Sequence, residues 1–82
     1  MKVIRVERDR FFKESYREEE LNGKTKEDCF REFYNLNKHY RYCNDIFYKF
    51  KEEEDKEQYD SWYKSLSGSQ RFDMYYGNSI VD

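Results

Sequence analysis

Apolar residues recur at alternating spacings of four and three through the middle of the chain. This apolar seam consists of Cys29, Phe33, Leu36, Tyr40, Cys43, Phe47 and Phe50. We expect its central members to be largely buried: Phe33, Leu36, Tyr40 and Phe47. Residues three and four apart lie on one face of an α-helix, so the spacing predicts a single amphipathic helix over about 25–51. Thr25 suits the N-cap of this helix, and Asp28 stands where a capping box places a residue that reaches back.

Weaker patterns precede this central helix. Residues 3–6 form a short β-branched run, which predicts one strand. Asp9 offers an N-cap for a helix over 10–22, and Gly23 is the kind of residue that often ends a helix in a left-handed conformation. The apolar face of this helix would be thin, with Phe12 and Tyr16 paired four residues apart.

Two further helices are predicted after the central one. Residues 56–66 resume helical spacing in a different phase, with Asp55 as the N-cap. A helix that runs on through 51–56 is the alternative, because this charged stretch is rich in helix formers. After the Ser-Gly-Ser break at 67–69, the residues up to 76 alternate as a strand would. A short helix over 69–76 fits better, with Ser69 as its cap, Phe72 at helical spacing from Tyr75 and Tyr76, and Gly77 just beyond its end.

These patterns predict a mainly α fold: one small helical domain over 1–82, built around the long central helix, with a short N-terminal strand. The composition suits such a fold, because the chain contains no proline and 21% of its residues are aromatic. Charged residues make up 41% of the chain and the mean hydropathy is -1.35. Aromatic rings at helical spacing nevertheless favour folding over disorder.

Charge and hydropathy narrow the classes of partner. The net charge is -2, so a general attraction to nucleic acid or anionic lipid is not expected. No apolar run approaches the roughly 20 residues of a membrane-spanning helix, and the N-terminus lacks the apolar core of a signal peptide. We therefore expect a cytoplasmic protein with reduced thiols and no membrane partner.

The residues that carry common chemistries are sparse. On one continuous helix, Cys29 and Cys43 would stand about 21 Å apart, too far for a disulfide. Neither belongs to a metal-binding motif, so no metal or other cofactor is expected. His39 is the single histidine, and no nucleophile or phosphate-binding glycine loop accompanies it. We expect that the protein is not an enzyme.

Basic and aromatic residues interleave over 38–42 and suggest a binding surface. On a continuous helix, Lys38, Arg41, Tyr42 and Lys49 would share one side. Cations that neutralise phosphates and rings that stack on bases are the means of single-stranded RNA binding. The alternative is that these cations only solvate the outer face of the helix.

An acidic row follows and suggests the opposite kind of surface. Glu53, Glu54 and Glu57 belong to a run of carboxylates that could imitate nucleic-acid phosphates in a basic groove. Trp62 and Tyr63 beside it would be good interface anchors if exposed. The alternatives are a solvated turn for the carboxylates and core packing for Trp62.

In composition, the chain resembles the small early proteins of large tailed bacteriophages: compact, rich in Lys, Glu, Tyr, Phe and Asn, and without alanine or a catalytic signature. The resemblance implies an inhibitor or accessory factor that binds a host protein in the host cytoplasm. A defence nuclease, a toxin and a transcription component are the partners it suggests. A monomer is expected on separate grounds, because the helices predicted over 10–22 and 56–66 can bury the apolar series of the central helix within one chain. The alternatives are a single-stranded nucleic-acid-binding module and a self-associating structural protein.

Overall fold

A computed structural model describes residues 1–40 and 45–76 of the chain. The elements are β1 (Lys2–Arg8), β2 (Glu14–Glu20), α1 (Lys26–His39), β3 (Ile46–Phe50), α2 (Glu53–Ser65) and α3 (Gly68–Tyr76). The three strands form one antiparallel sheet in the order β2-β1-β3. The fold is therefore a small α+β domain, and the predicted mainly α fold is wrong.

The predicted helix over 10–22 is also wrong, because this segment forms a hairpin loop and β2. The predicted N-terminal strand is present and extends over the whole of β1, which pairs with β2 in the register Arg8↔Glu14 and Val3↔Glu19. Asp9 explains the error: it accepts hydrogen bonds from the N–H groups of Phe11 and Lys13, at 2.8 and 3.0 Å. An aspartate caps turns and helices through the same chemistry, so its presence does not distinguish them.

The predicted central helix ends far short of residue 51. Its start is confirmed, because the Thr25 hydroxyl accepts a hydrogen bond from the N–H of Asp28 at 3.1 Å. The helix ends at His39, with Tyr40 as its C-cap. Cys43 lies outside the described residues. The predicted separation of Cys29 and Cys43 assumed one continuous helix, and α1 ends before residue 43. Cys29 itself is a free, buried thiol.

The second half of the helical seam belongs to β3. Ile46, Phe47 and Tyr48 are β-branched or aromatic residues, which favour a pleated strand when a sheet edge is at hand. Tyr48 and Phe50 face the core, whereas Phe47 points to the other side and is 40% exposed. The expectation that Phe47 is a core residue is therefore wrong, since a period of two replaces the helical period here.

Two helices complete the chain that the structure describes. A turn at 51–52 precedes α2, so α2 begins at Glu53, three residues before the predicted start, and no helix runs through from α1. The predicted helix after the Ser-Gly-Ser break is present as α3. Of the described helices, none is long and apolar enough to cross a membrane.

The core lies between α1, α2 and one face of the sheet. Its buried members in the described residues are Val3, Leu21, Cys29, Phe30, Phe33, Tyr48 and Phe50. Leu36, Tyr40, Tyr59 and Trp62 pack against this cluster from its margin. Phe33 is therefore buried as the seam predicts, whereas Leu36 and Tyr40 are only partly so. The opposite face of the sheet, called here the open face, is covered by none of the described helices.

Candidate functional site

The open face of the sheet carries a row of apolar side chains at its centre. Val6 of β1 lies directly between Tyr16 of β2 and Phe47 of β3 in the sheet register. Val6 is 0% exposed although none of the described helices covers it, whereas Tyr16 is 60% exposed and Phe47 40% exposed. The two rings therefore shield Val6 and themselves face solvent, which leaves an aromatic surface on this side of the molecule.

Ion pairs frame this apolar row on the open face. Lys51 donates to Glu18 at 2.6 Å, and Lys2 lies 3.4 Å from the same carboxylate. Arg8 donates to Glu14 at 2.9 Å. The hydrogen bond from Lys51 lowers the pKa of Glu18 below its usual value. These cations are thus already engaged by carboxylates of the same chain.

Tyr16 links the aromatic and charged parts of the open face. Its hydroxyl donates to Glu14 at 2.6 Å, and the Lys49 ammonium lies 5.5 Å from the centroid of its ring. The hydrogen bond to Glu14 raises the pKa of Tyr16, and the same bond is the main reason that the pKa of Glu14 is lowered. The Tyr16 side chain is therefore held in place while its ring stays exposed.

The loop between β1 and β2 presents two adjacent phenylalanines, Phe11 and Phe12, called here the aromatic tip. Phe11 is 69% exposed and Phe12 is 80% exposed. Two backbone hydrogen bonds close the loop. The Asp9 N–H donates to the Lys13 carbonyl at 2.9 Å, and the Phe12 N–H donates to the Asp9 carbonyl at 3.0 Å. The tip is therefore a structured turn that displays two large apolar side chains to solvent.

The backbone of Phe12 is strained. Its φ is +61°, and it is the single non-glycine residue with a positive φ among residues 1–40 and 45–76. A hairpin of this kind places glycine or asparagine at its left-handed position, because a bulky side chain is disfavoured there. A phenylalanine that is both strained and exposed contributes to function more readily than to stability.

Of the candidate residues named from the sequence, Lys38 and Tyr63 come to neighbouring grooves between the helices. One groove, of about 440 Å³, is lined by Tyr34, Tyr59, Asp60, Tyr63 and Lys64. The adjoining one, of about 240 Å³, is lined by Tyr34, Asn37, Lys38, Tyr59 and Tyr75. The Lys38 ammonium donates to the Met74 carbonyl at 3.1 Å, so it ties α1 to α3.

Tyr63 is part of a stack of tyrosines rather than a lone anchor. Its ring lies nearly parallel to those of Tyr34 and Tyr59, with centroids 6.1 and 6.4 Å away. The Arg71 guanidinium lies 4.8 Å from the Tyr63 ring centroid and donates to the Tyr63 and Lys64 carbonyls at the end of α2. Burial raises the pKa of Tyr59 far above its usual value. These contacts show that the aromatic rings lining the grooves pack the helices against one another.

The other predicted site residues do not join Lys38. Lys49 projects from the open face, on the other side of the sheet from α1, so the predicted basic line along one helix is wrong. Trp62 packs on Phe30 and Tyr59, at centroid distances of 5.5 and 5.7 Å, and is half-buried. Arg41 and Tyr42 lie outside the described residues.

The predicted acidic row lies at the start of α2. Glu53, Glu54 and Glu57 are all exposed there. Carboxylates in the first turn of a helix are stabilised by the positive end of the helix dipole. Glu53 and Glu54 lie in the first turn of α2, so stabilisation of this helix accounts for them. Among the described residues, no group of three or more His, Cys, Asp or Glu side chains could hold a metal ion.

The aromatic tip was missed by sequence reasoning. In a helix over 10–22, Phe12 and Tyr16 form an apolar stripe and Phe11 lies off it. The available signal was the β-branched run of β1 followed by Asp9 and two adjacent aromatic residues flanked by Arg10 and Lys13. A strand followed by a turn-forming residue predicts a hairpin at least as well as a helix cap.

A comparison of the chain with protein families, curated proteins and solved structures finds no match.

Proposed function

We propose that the protein is a small non-enzymatic binding module that docks on another protein through the aromatic tip. The observation that carries this proposal is the backbone of Phe12, with φ +61° and a side chain 80% exposed. Glycine at position 12 would remove the backbone strain. A phenylalanine there therefore points to a role for the side chain itself. Buried aromatic side chains are enriched at the centres of protein interfaces, where they fill pockets on the partner.

The charges around the tip favour a protein over a nucleic acid. Binding to a phosphate backbone needs cations that are free to replace counterions. Arg8 is paired with Glu14, so Arg10, whose guanidinium lies 5.0 Å from the Phe11 ring centroid, and Lys13 are the two cations left at the tip. Two cations are few for a track along a phosphate backbone. The whole chain carries a net charge of -2. An apolar pocket on a protein therefore fits the tip better than a polyanion does.

The compositional resemblance to phage early proteins supports a host protein as the partner. We propose an inhibitor or accessory factor that acts in the cytoplasm on a defence nuclease, a toxin or a component of transcription. A monomer is the expected state before binding. Sedimentation equilibrium giving a mass well above 10.4 kDa for the free protein would favour the self-associating alternative.

The test compares three immobilised baits in a bacterial lysate: the wild-type protein, Phe11→Ser/Phe12→Gly, and Phe72→Ser. Phe72 is a matched control, because it is 61% exposed but lies on α3. We expect a protein that is retained by the wild type and by Phe72→Ser, and that is retained at least about tenfold less by the tip variant. Circular dichroism of all three baits checks that each remains folded.

Two results would overturn the proposal. One is a specific partner whose retention is the same with and without the aromatic tip. The other is binding of labelled single-stranded RNA that weakens steeply with salt and survives the tip substitutions, which would favour the nucleic-acid alternative.

A further inference from the structure

The two outer edges of the sheet are built differently, and β3 has the protected one. The Asn37 side chain of α1 donates through Nδ2 to the Tyr48 carbonyl at 3.2 Å, and its Oδ1 accepts from the Tyr48 N–H at 2.9 Å. One side chain thus satisfies both outward backbone groups at the middle of β3. A strand edge protected in this way cannot pair with another strand there.

The edge formed by β2 is left open. The Asp9 N–H donates to the Lys13 carbonyl and the Leu21 N–H donates to the Met1 carbonyl, each at 2.9 Å. In this register the odd-numbered residues of β2 hydrogen-bond to β1, so the backbone groups of Tyr16 and Glu18 point outward. Within residues 1–40 and 45–76, no hydrogen bond is made to these outward groups.

The charges of the β2 side chains determine which side chains a neighbouring strand should carry. The seven residues of β2 include four glutamates and one arginine. The counter-ions of Glu14 and Glu18 are Arg8 and Lys2 of β1 and Lys51, which follows β3, all on the inner side of the strand. Glu19 is paired with Arg17 of β2 itself, and Glu20 with the N-terminal ammonium of Met1. The Glu14 and Glu18 side chains are still 32% and 43% exposed, and a carboxylate can accept several donors at once.

A second copy of the same strand fits this edge poorly when the pairing is centred on Arg17. An antiparallel pairing centred on Arg17 would place Arg17 opposite itself and Glu14 opposite Glu20. Like charges directly opposite each other in neighbouring strands are destabilising, and lysine or arginine opposite these glutamates is stabilising. In this register the edge disfavours self-pairing and favours a basic segment.

We infer that the outer edge of β2 accepts an extended, lysine- or arginine-bearing segment of a partner protein as a fourth strand. The Tyr16 and Glu18 backbone groups provide the main-chain hydrogen bonds, and the glutamates provide selectivity for basic side chains. This inference goes beyond the aromatic tip, because it concerns a different surface and a different kind of contact.

The test uses a synthetic peptide, acetyl-Lys-Val-Lys-Val-Lys-Val-Lys-amide, which is as long as the seven-residue β2. Hydrogen exchange of ¹⁵N-labelled protein is followed by NMR at peptide concentrations up to about 1 mM. We expect exchange of the Tyr16 and Glu18 amides to slow by at least about tenfold, since these amides gain acceptors. The Tyr48 amide is the internal control, because it is already bonded to Asn37.

Three protein variants separate strand pairing from attraction of charge. Glu18→Pro removes an outward N–H and the carboxylate without removing a hydrogen bond to β1, so it should abolish the protection at Tyr16. Glu18→Gln, which removes the carboxylate alone, is its matched control and should only weaken that protection. Glu18→Lys keeps the backbone and should weaken peptide binding at least about fivefold. The tip variant Phe11→Ser/Phe12→Gly should bind the peptide as the wild type does, so this inference and the proposed function can fail separately.

Three outcomes would overturn the inference. The first is unchanged exchange at Tyr16 and Glu18 with saturating peptide. The second is equal protection by an acidic peptide with Asp in place of Lys. The third is protection of the same amides that rises with protein concentration in the absence of peptide, which would mean that a second copy occupies the edge.

Discussion

Phe33 of α1 and Phe50 of β3 stack face to face, with ring centroids 4.0 Å apart and ring planes 22° from parallel. Tyr59 of α2 closes the group, with its ring 4.9 Å from Phe33 and 5.3 Å from Phe50. Three consecutive elements, α1, β3 and α2, therefore meet at one set of rings. This group fixes β3 to the helices.

We expect Phe33→Ala to lower the free energy of unfolding by about 3–5 kcal/mol, because it removes a buried ring and leaves a cavity. Phe47→Ala is the matched control from the same apolar seam, and it should cost clearly less because Phe47 is 40% exposed. Urea denaturation followed by circular dichroism measures both values. Equal losses for the two variants would contradict the core described here.

Phe12→Gly should make the protein more stable. Glycine adopts a positive φ without the strain that a side chain suffers there, although it also adds freedom to the unfolded chain. The net gain should be about 1 kcal/mol. Phe11→Gly is the control, because Phe11 has no positive φ to relieve. A higher urea midpoint for Phe11→Gly than for Phe12→Gly would contradict the strained turn.

Asn37→Ala should destabilise the protein by about 1–3 kcal/mol, because the backbone groups of Tyr48 lose their partner at a partly buried edge. The variant should also aggregate faster, since β3 then presents an unprotected strand edge. Asn35→Ala is the control on the same helix, where Asn35 is exposed. Thermal denaturation and light scattering measure the two effects. Identical behaviour of the two variants would refute the protective role of Asn37.

Stability should decrease in acid through Glu14 and Glu18. The pKa of each is lower in the folded protein than its usual value of 4.5. A carboxyl with a lowered folded pKa stabilises the fold above its unfolded pKa, and that contribution is lost as the pH falls through the folded pKa. The free energy of unfolding should therefore decrease as the pH falls below about 4.5.

Urea denaturation between about pH 7 and pH 3 measures this dependence. The double variant Glu14→Gln/Glu18→Gln should show a flatter profile than the wild type. Glu57→Gln is the control, because Glu57 is an exposed carboxyl of α2. A double variant with the same slope as the wild type would show that these two ion pairs do not respond to acid.

The seam of apolar residues predicted the correct helix but not its length. Cys29 and Phe33 are buried on α1 as the helical period requires. Over so short a run the residues fit either a helix or a strand: in the strand that forms, Phe47 and Phe50 fall on opposite faces, and Tyr48 joins Phe50 in the core. Only the pairing of β3 with β1 resolves the ambiguity, and that pairing is a tertiary contact.

The candidate site was harder to predict than the core. Glu and Arg in β2 are helix formers, so their intrinsic preference opposed the structure they adopt. The cross-strand ion pair of Arg8 with Glu14 offsets that preference in the sheet. Phe11 and Phe12 are exposed because they lie in the turn that Asp9 closes. Hydrophobic periodicity predicts helices and strands but not the conformation of a turn.

The position of β1 between its neighbours has a consequence for the order of folding. Arg8 meets Glu14 after a short loop, whereas Val3 meets Phe50 only after α1 has been brought across the sheet. A two-stranded hairpin is marginal in water by itself, and distant pairings form slowly because they close long loops. We therefore expect the hairpin that carries the aromatic tip to form first and to become stable only when β3 pairs with β1, which makes the contact of Val3 with Phe50 a slow step of folding.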